Sequence, residues 1–203
     1  DSFRSALSGK QGPVLLDICD DVQRAEIVHE ELSSFKPNEN VGKNNDSLTK
    51  NKIHKIDQLI EKSVRPVIIL GNGVRLSGCI DESIKFAESL GIPIVPTWGA
   101  LDFLSHDHPL FVGCFGVSSG RAGNFTVQNS DLIISLGTRL DTHETGPNVA
   151  TFARSAKKVM IDIDFSEIEK FSNGELNINI GLAVDVSEFL ESFNKYTKVK
   201  KHS

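Results

Sequence analysis

Short, continuous apolar runs alternate along this chain with stretches in which apolar residues recur every third or fourth position. Residues 132–136 form the clearest run, held between Asp131 and Gly137 and interrupted only by Ser135. It is too short for a helix and reads as a strand buried on both faces, as parallel strands are when helices cover their sheet. Residues 67–70, 92–95 and 158–163 have the same character, whereas residues 176–180 alternate apolar and polar, as an edge strand would. Helical spacing appears at 51–62, where Ile53, Ile56, Leu59 and Ile60 share a face, and at 77–90, where Ile80, Ile84, Ala87 and Leu90 do so before Gly91. Residues 122–129, 148–156 and 186–193 are further predicted helices, and 98–120 is irregular and rich in glycine. Near the start, a helix ending close to Gly9 is followed by a predicted strand at 14–18, entered through Gly12-Pro13.

Five strands alternating with helices after residue 51 predict an α/β fold with an open, mostly parallel, doubly wound sheet. Residues 33–47 are Asn, Lys, Ser, Gly and Pro with little to bury, which is linker composition. The expected organisation is therefore a remnant of another domain at 1–30, a linker at 31–50, the sheet domain at 51–195 and a basic tail at 196–203. Because Asp1 opens directly into helical spacing, the chain looks cut from something longer.

Charge changes this picture only by exclusion. A net charge of −5, with no basic block before the last few residues, argues against a nucleic-acid partner. No apolar run is long enough to cross a bilayer and no signal peptide is seen, so no membrane partner is expected. Cys19, Cys79 and Cys114 are widely separated and odd in number, which fits a reduced, cytoplasmic setting with three inert thiols better than a disulfide framework or a zinc ribbon.

In a parallel sheet the carboxyl ends of the strands lie side by side and bind ligands. Those ends carry Gly71 and Gly73, Thr97, Thr138 and Arg139, Asp162 and Asp164, and Asp185, with Gly116 in the irregular segment between them. Small residues, one cation and a carboxylate along one border suit a dinucleotide, and bare amides at Gly71 and Gly73 would suit a pyrophosphate. The standard nicotinamide fingerprint fails, since the third glycine falls at Gly78 and the second strand ends in Thr97 rather than in an acid. His106 and His108 flank Asp107 without a third metal ligand nearby, and no serine has the setting of a nucleophile elbow, so no catalytic residue and no metal ligand is expected.

Several segments resemble the central domain of thiamine-diphosphate-dependent enzymes of the acetolactate synthase type. They are G-P-V-L-L-D-I at 12–18 with D-V-Q at 21–23, R-P-V-I-I-L-G-N-G at 65–73, L-G-I-P-I-V-P-T at 90–97, H-P-L-F-V-G at 108–113, N-F-T-V-Q-N-S-D-L-I-I-S-L-G-T-R-L-D at 124–141 and I-D-I-D-F-S-E-I-E-K at 161–170. The resemblance implies a Rossmann-like middle domain between a pyrimidine-binding domain, of which 1–30 would be the end, and a diphosphate-binding domain toward which 196–203 would lead. It implies thiamine diphosphate and Mg in the parent enzyme, a parent reaction of 2-oxo acid decarboxylation and carboligation, and a homodimer or tetramer as the active species. The diphosphate domain's G-D-G motif does not occur here, so the chain itself is expected to be inert.

In such domains relatives hold FAD or ADP or nothing. Carried over motif by motif, the FAD positions fall on Gly71, Gly73, Thr97, Gly116, Thr138, Arg139, Asp162, Asp164 and Asp185. The pattern departs from the flavin enzymes at Trp98-Gly99, at Val117-Ser118-Ser119 after Gly116, at His143 where they place a second arginine, and at Cys19. Two rivals remain: an NAD-dependent deacylase of the sirtuin kind, which D-L-I-I-S-L-G-T-R-L at 131–140 also resembles, and a scaffolding domain without a ligand.

Overall fold

The computed structural model describes residues 2–28 and 46–198, with the side chains of 46–49 left aside. The chain divides into two compact units, Asp1–Lys43 and Asn44–Ser203. In the first, helix α1 (Ser2–Leu7) and helix α2 (Asp20–Arg24) are single short pieces without a buried side chain. Residues 14–18 do not form the expected strand; they pair with no other strand among the described residues, and Leu15 is 93% exposed. The apolar content suited a strand, but a strand needs a neighbour for its amides.

The second unit is built on one five-stranded sheet. Helix α3 (Asp46–Lys62) leads into β1 (Pro66–Leu70), then the single turn α4 (Gly73–Leu76), α5 (Ile80–Leu90) and β2 (Ile94–Pro96). Asp46 to Lys50, expected in the linker, are already helical, whereas the rest of that linker after residue 30 lies outside the described residues, as do residues 199–203 of the tail. Helix α6 (Arg121–Gln128) feeds β3 (Leu132–Leu136), and the single turn α7 (Thr142–Thr145) follows. Strand β4 (Lys157–Asp162), helix α8 (Phe165–Glu169), strand β5 (Ile180–Ala183) and helix α9 (Val186–Tyr196) complete the unit. All pairings are parallel, in the order β2-β1-β3-β4-β5.

Burial explains why the runs are continuous. Ile68, Leu70, Ile134, Leu136, Val159 and Ile161 point into a core closed by α3, α5 and α9, through Ile53, Ile56, Phe86, Phe189 and Phe193. The alternate positions Val67, Ile69, Ile133 and Met160 face a second core with Val127 of α6, Phe115, Leu140, Phe152 and Phe171. Both faces are dry, so period-2 alternation vanishes from β1, β3 and β4. Three expectations shift. Residues 77–90 are broken by Gly78 in the left-handed region, which separates α4 from α5. Residues 148–156 give only a 3-10 turn at Val149–Thr151, ended by the extended Phe152, with Ala153 after it at φ 39°. The edge strand begins at Ile180, where pairing to Val159 starts, and Leu176 is buried ahead of it as core.

Candidate functional site

The register fixes where the strands end. Leu70 stands opposite Pro96 on one side and Leu136 on the other, Leu136 opposite Ile161, and Asp162 opposite Ala183. The residues that follow each strand therefore emerge along one border: Gly71 and Gly73, Thr97, Thr138 and Arg139, Asp164, and Asp185, with Asp162 as the last residue of β4. Gly116 joins them through the irregular segment, because the Val117 amide donates to the His143 carbonyl at 2.8 Å and Asn124 of α6 clasps the Gly116 amide and carbonyl at 2.9 and 3.1 Å. All nine expected positions are thus brought to one side of the sheet.

Most of their polar groups already have partners within the protein. The expected bare amides are not bare: Gly71 donates to Leu136 and Gly73 to Gly137, both at 2.9 Å. The two turns press backbone on backbone, and a Cβ added at Gly73 would lie 2.7 Å from the Gly137 Cα. A Cβ at Gly116 would strike the His143 carbonyl oxygen. The Thr97 amide completes the ladder to Leu70 at 2.9 Å. Asp164 caps α8 by accepting from the Ser166 amide at 3.0 Å, and the buried Asp162 accepts from the Asp164 amide at 2.9 Å. Asp185 caps α9 through the Ser187 amide and also accepts from the Ser77 and Ser187 hydroxyls. Burial opposes its charge, but these donors outweigh it and hold the carboxyl below the usual range.

Arg139 is the outward-facing cation of the β3 end, held by Asp141 at 3.5 Å with its side chain 58% exposed. Its carbonyl is anchored by the Lys170 ammonium at 2.7 Å. Leu140, the next residue, is buried at φ 49°, a strained conformation for a branched side chain. That twist turns the chain back over the strand end, and Asp141 then caps α7 through the His143 amide at 2.9 Å. The result delivers Glu144, a residue the sequence did not single out. Both of its carboxylate oxygens lie 2.7 Å from the Thr138 hydroxyl. Burial, with a further push from Asp141, raises its pKa to about 7 against the pull of Thr138 and Arg139.

Around this acid, the half-exposed Trp98 donates its indole N–H to the Ser119 hydroxyl at 2.9 Å and lies 6.2 Å from the His143 ring. Ser119 contacts the Cys114 thiol at 3.3 Å, whose pKa is raised chiefly by burial. Val117, Ile163 and Phe165 are exposed on the same border. The histidines of the irregular segment are otherwise engaged: His108 pairs with Glu88 at 3.2 Å, and His106 stacks on Phe111 at 4.8 Å. Among the described residues no three His, Cys, Asp or Glu side chains gather as a metal site would require. A separate groove of about 470 Å³ lies between α5 and α9, floored by Cys79, Phe86 and Leu190. No helix among the described residues is long and apolar enough to cross a membrane.

Comparison with known proteins bears on this geometry. Residues 53–193 match the family model described as the central domain of thiamine pyrophosphate enzymes. A probable acetolactate synthase large subunit of Methanococcus aeolicus is 32% identical over 96% of this chain and 32% of its own length. The acetolactate synthase large subunit of Corynebacterium glutamicum is 34% identical over 99% of this chain and 31% of its own. A glyoxylate carboligase of Escherichia coli is 31% identical over 87% of the chain and 29% of its own. The chain spans about a third of the length of such relatives. The matched region contains all five strands and every residue of the border described above. The chain belongs to the thiamine pyrophosphate enzymes and is a central domain of their acetolactate-synthase-like branch.

Proposed function

We propose that this domain is the non-catalytic middle of an enzyme that decarboxylates a 2-oxo acid such as pyruvate and joins the product to a second carbonyl compound. Relatives named for acetolactate synthesis and for glyoxylate carboligation both point to carboligation, and that shared similarity carries the reading. Thiamine diphosphate and Mg belong, on this reading, to the neighbouring pyrimidine- and diphosphate-binding domains of a dimeric or tetrameric parent in the cytoplasm. The residues here do not fit either group: no G-D-G sequence occurs, and no acidic cluster suited to a metal is found among the described residues. The domain's part is to hold its neighbours at a fixed separation.

For the border itself, FAD, ADP and no ligand were open. The donors favour no ligand, because the Gly71 and Gly73 amides and the Thr138 hydroxyl, which would meet a pyrophosphate, are bonded internally, and Glu144 and Asp141 lie beside them. Assay of residues 1–203 for acetolactate formation from pyruvate, with thiamine diphosphate and Mg added, should give no turnover above buffer; measurable turnover would overturn the inert role. Thermal shift with FAD, ADP and NAD in turn should be flat. A shift with any of the three would overturn the closed border.

A further inference from the structure

We propose that Glu144 is the specificity-determining residue of this border: its carboxylate takes the Thr138 hydroxyl that a ligand's phosphate would use and sets a negative charge where that phosphate would lie, and so excludes nucleoside diphosphates and dinucleotides. The inference rests on the reading that the border is closed, and adds the group that turns a phosphate's charge away from it. A hydroxyl has one proton to give, and the Thr138 proton is already directed at Glu144, whose two oxygens lie at the same 2.7 Å. The acid is also fixed in place. Leu140 is anchored in the core, Asp141 caps the turn, and the Thr145 hydroxyl donates back to the Asp141 carbonyl at 2.9 Å. From above, the chain at Gly116 lies against the His143 carbonyl, with the Glu144 Cα 3.5 Å from where a Gly116 Cβ would stand.

The charges facing Glu144 are few. Asp141 and Arg139 come from its own loop and oppose each other, His143 precedes it, and Cys114 approaches from the segment that covers it. One guanidinium therefore serves two carboxylates. A pyrophosphate placed here would bring at least two further negative charges beside a carboxylate largely withdrawn from water, where like charges repel most strongly. A neutral ligand would meet no such barrier.

The test measures ADP and FAD binding by calorimetry at pH 8 to the 203-residue chain and to its Glu144→Ala and Glu144→Gln forms, with near-ultraviolet circular dichroism confirming the fold of each. The wild-type chain should not bind. Glu144→Ala, which frees both the hydroxyl and the space, should bind with a dissociation constant at least about tenfold below the weakest binding the calorimeter would detect for the wild-type chain. Glu144→Gln removes the charge alone and should fall between them; it carries the test if the alanine form does not fold. At pH 6 the wild-type chain should gain affinity and Glu144→Gln should not. If the wild-type chain and both variants stay silent, Glu144 is not the determinant, although the border remains closed. If the wild-type chain binds and the variants bind no better, the inference and the closed border both fall.

Discussion

Glu144 also makes the stability of the domain depend on pH in an unusual direction. Its carboxyl titrates near 4.5 in an unfolded chain and at about 7 in the folded one. Between those values the native state binds the extra proton. The protonated acid therefore contributes stability that is complete below pH 4.5 and lost as pH rises through 7. A rise of this size corresponds to roughly 3 kcal/mol, and partial solvent access brings the expected effect down to about 2 kcal/mol. The perturbation is Glu144→Gln, which keeps the shape and the acceptor for Thr138 while removing the charge. Urea unfolding of both proteins from pH 5 to pH 8 isolates the term, because the six histidines and all other carboxylates are common to the two chains. The variant's stability relative to wild type should climb by about 2 kcal/mol from pH 5 to pH 8, steepest near pH 5.5 to 6 and levelling off above pH 7. A difference that stays flat to within about 0.5 kcal/mol would show that the carboxylate ionises normally, and the account of its burial would be wrong.

Two substitutions check the packing of the border. At Gly71, whose φ is outside the left-handed region, Ala would place its Cβ 2.5 Å from the Thr138 Cβ and against the Gly137 carbonyl, a backbone group with no room to yield. Overpacking together with a weakened Gly71 to Leu136 bond should cost about 3 kcal/mol in chemical denaturation, while Gly120→Ala, which meets nothing within 4 Å, should stay within about 0.5 kcal/mol. Asp185→Ala removes the acceptor for Ser187 and Ser77 and should cost about 1 to 2 kcal/mol at neutral pH. Because that carboxyl is held below its usual range, the deficit should shrink as acid titrates it in the wild-type chain, and a deficit constant down to pH 2 would argue against the cap.

The sheet was legible wherever burial alone decided the pattern. Residues 67–70, 132–136 and 158–163 read as strands because both of their faces are covered, and the helical stripe of Ile53, Ile56 and Ile60 marks the face that α3 turns to the core. Residues 14–18 look the same in composition, yet pairing is a property of a partner and not of the run itself. The edge strand was placed too early because Leu176 and Ile178 are apolar for a different reason, as cover for the second core. Gly181, a weak strand former, is needed where Ile168 crowds the strand. The border residues were found because strand ends are visible in sequence. Glu144 was not, since an acid within Thr142-His143-Glu144-Thr145 reads as a solvated turn. Only the return of the chain through Leu140 and the cover from Gly116 withdraw it from water.

The contact between the turns after β1 and β3 bears on how such chains are recognised. Gly71, Gly73 and Gly137 are small because each turn is the other's wall. A mutation that abolished nucleotide affinity would leave that mutual demand untouched, since it arises inside the sheet. The glycine pattern is thus required by architecture whether or not a cofactor is bound. Glycines of this sort therefore report how two turns fit together, whereas the side chains bordering them decide what the border can hold.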